Sequence, residues 1–207
     1  MQPWKLVGET RNPFIRGLFA AQLPAFLTLD LQAIVFDIAE LFDRPGDPYT
    51  DAGGNDWPDN PVRFALFSQV AAALAMDALA LGWRADVVHA NDWQTGLVPA
   101  YLTTDSAPPR TLFTVHNLAY DCQFDFTVFQ GLQLPSYWWS LEYGEFYGRF
   151  SMLKAGIIFC DQITTVSPRY AQEIRTKELG YAYADVLEVN AGKLVGILNG
   201  IDDVTWD

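Results

Sequence analysis

The sequence predicts an α/β domain built on a Rossmann-like, mostly parallel sheet with helices on both faces. Short runs rich in β-branched and apolar residues alternate along the chain with segments of helical periodicity. Such alternation favours right-handed crossover connections between parallel strands of one sheet. The chain has 207 residues, a length that suits one domain of this class, so we expect residues 1–207 to form a single domain.

Composition and charge narrow the classes of partner. Half of the residues are hydrophobic and 14% are aromatic, which excludes a disordered or fibrous chain. Lys and Arg number 13 against 25 Asp and Glu, and the net charge of −12 disfavours binding to nucleic acid or to an anionic membrane. No apolar run reaches the length of about 18 residues that a membrane span needs, and the N-terminus lacks a secretory pattern. We therefore expect no nucleic-acid partner and no membrane association.

The thiols and the terminal acids give no sign of a metal site. Cys122 and Cys160 lie far apart and match neither a zinc-binding spacing nor a disulfide framework. We expect reduced thiols and a cytoplasmic location. Asp202 and Asp203 follow a predicted turn. We expect their side chains to be solvated, because an adjacent pair of acids on a turn is more often exposed to solvent than bound to a metal ion.

The first half of the chain contains one predicted strand, one loop and one helix. Residues 33–36 form the strand, whereas the segment before it has no clear period and fits either a loop or a short helix. The stretch 40–49 is rich in turn formers and predicts a surface loop that continues to Asp59. The loop has neither the spacing nor the lysine of a P-loop. Apolar residues then recur every three to four positions from Pro61, which predicts a helix that ends near Gly82.

The second half repeats this pattern. Val87 and Val88 lie at the end of a buried strand that leads into a helix, and Asp92 is placed to cap the N-terminus of that helix. The remaining predicted elements are a strand at 111–115, a helix at 148–160, a strand at 162–166, a helix from 167 to 175 that Ser167 caps, and a strand at 193–198 that ends in the turn Asn199-Gly200.

An aromatic segment lies between Phe124 and Phe150. Its rings, which include Trp138 and Trp139, either pack in the core or form a stacking platform for sugar rings. Because aromatic side chains bury a large area, the sequence favours packing for most of them.

Polar residues follow two of the predicted strands. His89 and His116 are the only histidines; Asp92 follows the first strand and Asn117 the second. Because ligands bind beyond the carboxyl ends of parallel strands, we expect these four side chains to face one cleft. Their donors and acceptors suit sugar hydroxyls, and the carboxylate can offset developing positive charge. The sequence has no Gly-x-Ser-x-Gly elbow and no cysteine beside a histidine, so nucleophilic hydrolysis is not indicated.

Five motifs occur in a fixed order and spacing. They are Val88-His-Ala-Asn-Asp-Trp-Gln-Thr-Gly-Leu-Val-Pro-Ala-Tyr-Leu102, Thr114-Val-His-Asn-Leu-Ala-Tyr120, Leu153-Lys-Ala-Gly-Ile-Ile158, Thr164-Thr-Val-Ser-Pro-Arg-Tyr-Ala-Gln-Glu-Ile174 and Leu198-Asn-Gly-Ile-Asp202. Together they resemble the N-terminal domain of bacterial glycogen synthases and plant starch synthases. The segments 40–49 and 57–67 extend the resemblance, which covers nearly everything from about Ile34 onward.

The resemblance implies the N-terminal half of a GT-B type glycosyltransferase. Such enzymes transfer glucose from ADP-glucose to the nonreducing end of an α-1,4-glucan or maltooligosaccharide, with retention and without a metal ion or other cofactor. By the same resemblance, His116 and Asp92 are catalytic residues, and Asn117, Tyr49 and Asn199 bind substrate. Structural roles remain open: a helix cap for Asp92, loop packing for Tyr49 and a turn for Asn199.

The sequence also departs from the family. The glycine-rich Lys-Thr-Gly-Gly-Leu element and the C-terminal nucleotide-sugar domain have no counterpart, and Tyr120 is followed by Asp121-Cys122 instead of Gln-Gly. Without cations aimed at the leaving phosphate, we expect this chain to carry the acceptor side of the cleft and not to transfer glucose alone. The alternative is a noncatalytic glucan-binding or partner-binding domain. An unrelated nucleotide-binding domain is disfavoured, because no Gly-x-Gly-x-x-Gly occurs.

Overall fold

The structure is a computed structural model that describes the backbone of residues 5–8, 17–22 and 32–201, and the side chains of residues 34 and 38–201. The strands are β1 (Lys5–Gly8), β2 (Gly17–Gln22), β3 (Gln32–Asp37), β4 (Val87–Asn91), β5 (Arg110–Val115), β6 (Gln123–Phe124), β7 (Glu145–Phe146), β8 (Arg149–Ser151), β9 (Gln162–Thr165) and β10 (Leu194–Gly196). The helices are α1 (Ala39–Phe42), α2 (Asn60–Ala75), α3 (Leu97–Leu102), α4 (Phe126–Gly131), α5 (Met152–Phe159), α6 (Pro168–Glu173) and α7 (Ala184–Val189). The predicted solvation of Asp202 and Asp203 lies outside the described residues.

The central sheet is parallel, as predicted. Its order is β10-β9-β5-β4, and the register pairs Asn91 of β4 with Thr114 of β5, and Val115 of β5 with Thr165 of β9. All four strands end at the same edge of the sheet. The predicted strands at 111–115, 162–166 and 193–198 are therefore confirmed, and so is the α/β fold class with helices flanking a parallel sheet. A strand also includes Val87 and Val88, but the prediction that they form the end of a buried strand is wrong: they begin the edge strand β4, which continues to Asn91, and Val87 is 60% exposed.

One apolar core joins the sheet to its helices. Buried side chains from α2, α3, α5 and α7 pack with those of β4, β5 and β9 in a single cluster. A close approach occurs at Gly156 of α5, where a Cβ atom would lie 2.4 Å from the ring of Phe113 on β5. A glycine at this position lets the helix lie directly on the strand.

Two antiparallel sheets were not predicted. The strand at 33–36 exists, but it pairs with β2 in an antiparallel sheet of order β1-β2-β3 instead of joining the parallel sheet. The second sheet, of order β6-β8-β7, occupies part of the segment that was expected to start a helix at Gly148. Gly148 has φ +80° in the turn between β7 and β8, and Ser151 caps α5 by accepting the backbone N–H of Lys154.

Two further element boundaries differ from the prediction. Helix α2 ends at Ala75 instead of near Gly82, because Asp77 adopts φ 55° and its carboxylate accepts the N–H groups of Leu81 and Gly82. The loop predicted from residue 40 begins with the single helical turn α1. Ser167 does cap α6, as predicted, by accepting the N–H of Tyr170 at 2.9 Å.

Within the described part of the chain, the helices are too short or too polar to cross a lipid bilayer.

Candidate functional site

A cleft with a volume of about 1060 Å³ opens beside the carboxyl ends of β4 and β5. Three stretches of chain line it: 49–61 ahead of and into α2, 92–94 after β4, and 117–128 after β5. Arg149 of β8 completes the lining. This edge of a parallel sheet is where open α/β folds bind their ligands, so the cleft is the candidate site.

Asp92 joins the ends of the two strands. Its Oδ1 accepts the backbone N–H of His116 at 2.8 Å, and its own N–H donates to the carbonyl oxygen of Thr114 at 2.9 Å. The prediction that the Asp92 side chain caps the following helix is wrong, because no helical N–H donates to it. Asp92 has φ 54°, a positive value that is uncommon for a residue other than glycine, and its carboxylate bonds to the end of β5 instead of the helix. Its side chain lines the cleft.

His116 lies beside Asp92 but does not line the cleft, so the prediction that its side chain faces the cleft is wrong. Its ring Nε2 forms a 3.1 Å hydrogen bond with the Oδ1 of Asn91, the last residue of β4. The side chain is exposed. Asn91 thus orients the imidazole, a contact that sequence patterns did not reveal because the two residues belong to different strands.

His89 does not face the cleft, and the prediction that it does is wrong. Its Nε2 forms a 2.6 Å hydrogen bond with the Thr114 hydroxyl, which in turn is 2.5 Å from the hydroxyl of Thr164. His89 lies two residues before the end of β4, so its side chain lies over the sheet and short of the strand end at which the cleft opens. It therefore takes part in a row of polar contacts across the sheet.

Asn117 lines the cleft and also shapes the turn that follows β5. Its Oδ1 accepts the N–H of Ala119 at 2.9 Å, the hydrogen bond of an Asx turn. The turn leads to Tyr120, which is 65% exposed and also lines the cleft. Asn117 and Tyr120 thus present an amide and a phenol ring on the same side of the site.

Tyr49 lines the cleft from the loop ahead of α2. Its ring is 40% exposed and lies 5.6 Å, centroid to centroid, from Trp93 and 5.8 Å from Phe64. Its carbonyl oxygen accepts the Asn60 side-chain amide at 2.9 Å and the Trp57 N–H at 3.0 Å. Loop packing and a position at the site, which the sequence left as alternatives, are both properties of this tyrosine.

Arg63 holds the loop that carries Tyr49. Its guanidinium donates to the carbonyl oxygens of Leu41 and Pro48, each at 2.9 Å, and to Asn60 Oδ1 at 2.7 Å. The residue is only 2% exposed. Burial, reinforced by the nearby charge of Arg44, lowers the pKa of Arg63 from its ordinary value. A planar cation with several fixed donors can bind carbonyl oxygens from two ends of one loop.

Asn199 is not part of the cleft. It lies beyond β10 on an exposed segment. Two residues before Asn199, the N–H of Ile197 donates to the carbonyl oxygen of Thr165. The structure therefore brings together Asp92, Asn117 and Tyr49, with His116 at their border, and leaves Asn199 apart.

The aromatic segment is mainly a packing element. Trp138 is fully buried, and Trp139 contacts the rings of Phe126, Phe129 and Phe150. A sugar ring cannot stack on the buried Trp138. Two tryptophans do line the cleft: Trp93, which follows β4, and Trp57, which the sequence placed only within a loop.

The cleft is acidic. Its lining includes Asp56, Asp92, Asp121 and Asp125, while Arg149 is the one cationic side chain among the described lining residues. Within the described part of the chain, no group of three or more His, Cys, Asp and Glu residues could hold a metal ion. Carboxylates, amides and exposed aromatic rings together suit a neutral, hydroxyl-rich ligand better than a phosphate.

Comparisons with known proteins show which family the chain resembles. A family described as the starch synthase catalytic domain matches residues 11–189. The chain is 50% identical over 182 residues to the glycogen synthase of Hydrogenovibrio crunogenus, a match that covers 86% of this chain and 37% of that protein. It is 46% identical, over an alignment of 209 positions, to the glycogen synthase of Rhodopseudomonas palustris. This match covers 98% of this chain and 43% of that protein.

A solved structure shows the same fold. The catalytic domain of starch synthase IV from Arabidopsis thaliana, bound to ADP and acarbose, superposes with a TM-score of 0.72 at 27% sequence identity. The match covers 92% of this chain and 38% of the other. The chain thus spans about two fifths of the length of these relatives, and the predicted GT-B type fold and the resemblance to glycogen and starch synthases are confirmed. The chain belongs to the starch synthase catalytic domain family.

Proposed function

We propose that this chain forms the acceptor side of a glucosyltransferase that moves glucose from ADP-glucose to the nonreducing end of an α-1,4-glucan, with retention. The observation that carries the proposal is the cleft at the ends of β4 and β5, where Asp92, Asn117 and Tyr49 converge. The relative bound to ADP and acarbose supports both a nucleotide donor and a glucan acceptor. In this proposal His116 and Asp92 serve the transferred glucose, and Asn199 belongs to the nucleotide side.

The charge of the cleft indicates that the acceptor and the donor bind to different parts of the enzyme. Among the described lining residues, four carboxylates outnumber one guanidinium, so the cleft would repel the pyrophosphate of ADP-glucose, while its carboxylates accept hydrogen bonds from sugar hydroxyls. Stabilising the departing phosphate requires preorganised cations, which account for much of the catalysis of such transfers. We therefore propose that the donor binds mainly through a second domain, and that this chain alone does not transfer glucose.

Two assays on the purified chain test the proposal. Isothermal titration with maltoheptaose should show binding that Tyr49→Ala weakens, because the ring is one wall of the cleft. Incubation with ADP-[14C]glucose and glycogen should leave the glycogen unlabelled. Steady incorporation by this chain alone would refute the claim of inactivity, and absence of maltoheptaose binding would refute the acceptor role.

A second candidate function is a noncatalytic glucan-binding domain. One observation favours this function: the aromatic rings and carboxylates that would bind a glucan all belong to this chain, so glucan binding does not require the donor. Both candidates predict maltoheptaose binding. They differ once a cation-bearing second domain is supplied, since only the first then predicts glucose transfer.

Both proposals place the protein in the cytoplasm, where the free thiols of Cys122 and Cys160 remain reduced.

A further inference from the structure

Asp121 is held more firmly than the other cleft carboxylates. Its Oδ1 accepts the N–H of Leu153 at 3.0 Å, and its Oδ2 accepts the hydroxyl of Tyr183. The side chain also lines the cleft. A carboxylate has about four lone-pair positions, so two remain for a ligand.

Tyr183 is the centre of a buried polar network behind this wall of the cleft. Its hydroxyl donates to Asp121, lies 3.0 Å from the Ser151 hydroxyl and accepts the Gln123 side-chain amide at 3.4 Å. Its ring stacks on Phe146 at 4.5 Å between centroids, and the residue is only 4% exposed. Burial, followed by the charge of Asp121, raises the pKa of Tyr183 well above its usual value. The hydroxyl therefore remains a donor to Asp121 throughout the neutral range.

The start of α5 holds the same wall. The N–H of Met152 donates to the carbonyl oxygen of Cys122 at 3.1 Å, and that of Leu153 donates to Asp121. The N–H of Lys154 donates to Ser151 Oγ at 2.8 Å. The first three N–H groups of the helix thus all have partners, and two of those partners belong to the segment that lines the cleft. A carboxylate at a helix N-terminus is also favoured by the helix dipole.

We propose that Asp121 is a sugar-binding residue of the cleft and that Tyr183 is its positioning residue. The proposal rests on the proposed function, since it assigns Asp121 to the same glucan acceptor. Two fixed donors orient the carboxylate before the ligand arrives, so that its remaining lone pairs accept hydrogen bonds from a pair of sugar hydroxyls. Preorganisation of this kind increases affinity because fewer degrees of freedom are lost on binding.

The test compares maltoheptaose affinities, measured by isothermal titration, for the unmodified chain and two variants. Asp121→Asn removes the charge and places an amide nitrogen at one of the two oxygen positions; we expect affinity to fall about tenfold, the effect of losing one charge-assisted hydrogen bond. Tyr183→Phe removes one oxygen and keeps the ring on Phe146; we expect a fall of about threefold, since Asp121 stays in place but loses its orientation. The double variant should match Asp121→Asn, because Tyr183 acts through Asp121.

Two matched controls separate positioning from general destabilisation. Asp161 is a carboxylate that is also bound by a backbone N–H and a hydroxyl, both from Thr111, but at the amino-terminal end of the strands, so Asp161→Asn should leave affinity unchanged. Tyr143→Phe removes a hydroxyl from a ring stacked on Phe159 and should also have no effect.

Three outcomes would overturn the proposal. Unchanged affinity in Asp121→Asn overturns this assignment alone and leaves the proposed function standing. Additive losses in the double variant overturn the positioning role of Tyr183. Failure of the unmodified chain to bind maltoheptaose overturns the proposed function together with the role of Asp121.

Discussion

The carboxylate of Asp92 accepts the backbone N–H of His116 at 2.8 Å and so ties the end of β4 to the end of β5. The bond fixes the point at which the chain leaves β5, immediately before Asn117 enters the cleft. The residue that looked like a helix cap thus sets the spacing of two strand ends. The effect of this bond on the site can be measured directly.

Replacement of Asp92 should loosen the segment after β5. We expect Asp92→Ala to lower the free energy of unfolding by about 1–3 kcal/mol, because the His116 N–H loses its acceptor. Amide hydrogen exchange at His116 should accelerate, whereas Asp92→Asn, which retains an acceptor oxygen, should preserve much of the protection.

Asp125→Ala is the matched control for Asp92→Ala. Asp125 accepts the N–H of Val128 at the start of α4, so its loss should accelerate exchange at Val128 and leave His116 unaffected. Unchanged exchange at His116 in Asp92→Ala would show that the carboxylate does not hold this strand end.

Loss of Arg63 should release the loop that carries Tyr49. Arg63→Lys keeps the charge but cannot reach Leu41, Pro48 and Asn60 with the same fixed set of donors. We expect a loss of about 2–3 kcal/mol in urea unfolding, because buried carbonyl oxygens lose their partners. Faster proteolysis within residues 41–49 should accompany it.

The control for Arg63→Lys is Arg169→Lys. Arg169 is exposed and forms a 2.7 Å ion pair with Glu173 one helical turn away, so the change should alter stability by less than about 0.5 kcal/mol. Equal stabilities for the two variants would contradict the role assigned to Arg63.

The contact between α5 and β5 should tolerate no added methyl group. In Gly156→Ala the new Cβ would lie 2.4 Å from the Phe113 ring, so overpacking should cost about 1–3 kcal/mol despite the better helix propensity of alanine. Gly131→Ala, at the end of α4, meets no atom within 4 Å and should be neutral or stabilising. A Gly156→Ala variant as stable as the unmodified chain in urea would contradict this packing of the helix on the strand.

Alkaline pH should destabilise the fold through its buried thiols. Burial raises the pKa of Cys122 to about 12 and that of Cys160 to about 11. The folded state holds these protons more tightly than the unfolded chain, whose thiols have a pKa of about 8.5. Their contribution to stability is therefore fully present below about pH 8.5 and is lost as the pH rises towards the folded values.

Thiol alkylation checks this prediction. At pH 8.5, iodoacetamide should modify both cysteines of the folded chain at least about 100-fold more slowly than in denaturing urea, because the thiolate is the reactive form. A folded chain in which either cysteine reacts as fast as in urea would show that its pKa is not raised.

The central strands of the parallel sheet, β5 and β9, could be predicted because they are runs of β-branched and apolar residues that are mostly buried on both faces. Thr111–Val115 is one such run, and its burial follows from local composition. The end of α2 could not be predicted, since it depends on the left-handed conformation of Asp77 and on its side-chain bonds to Leu81 and Gly82. The pairing of β3 with β2 was equally hidden, because nothing in 33–36 specifies the direction of its neighbour.

The candidate site was predictable as a location and not as a set of contacts. The expectation that Asp92 and Asn117 share a cleft follows from the direction of two strands and is confirmed. The position of His89 could not be predicted, because the sequence left the end of β4 uncertain and the strand continues two residues beyond this histidine. The hydrogen bond from Tyr183 to Asp121 could not be predicted, because the two residues are 62 positions apart and no local pattern connects them.

A nitrogen–proton correlation spectrum of the labelled chain, recorded during titration with maltoheptaose, tests the central claim most directly. If the cleft at the ends of β4 and β5 is the acceptor site, the amide signals of Tyr49, Asp92, Asn117 and Tyr120 should shift together and saturate along a single binding curve. Shifts confined to residues remote from the cleft, such as the exposed Val189 of α7, or no shifts at all, would contradict the account.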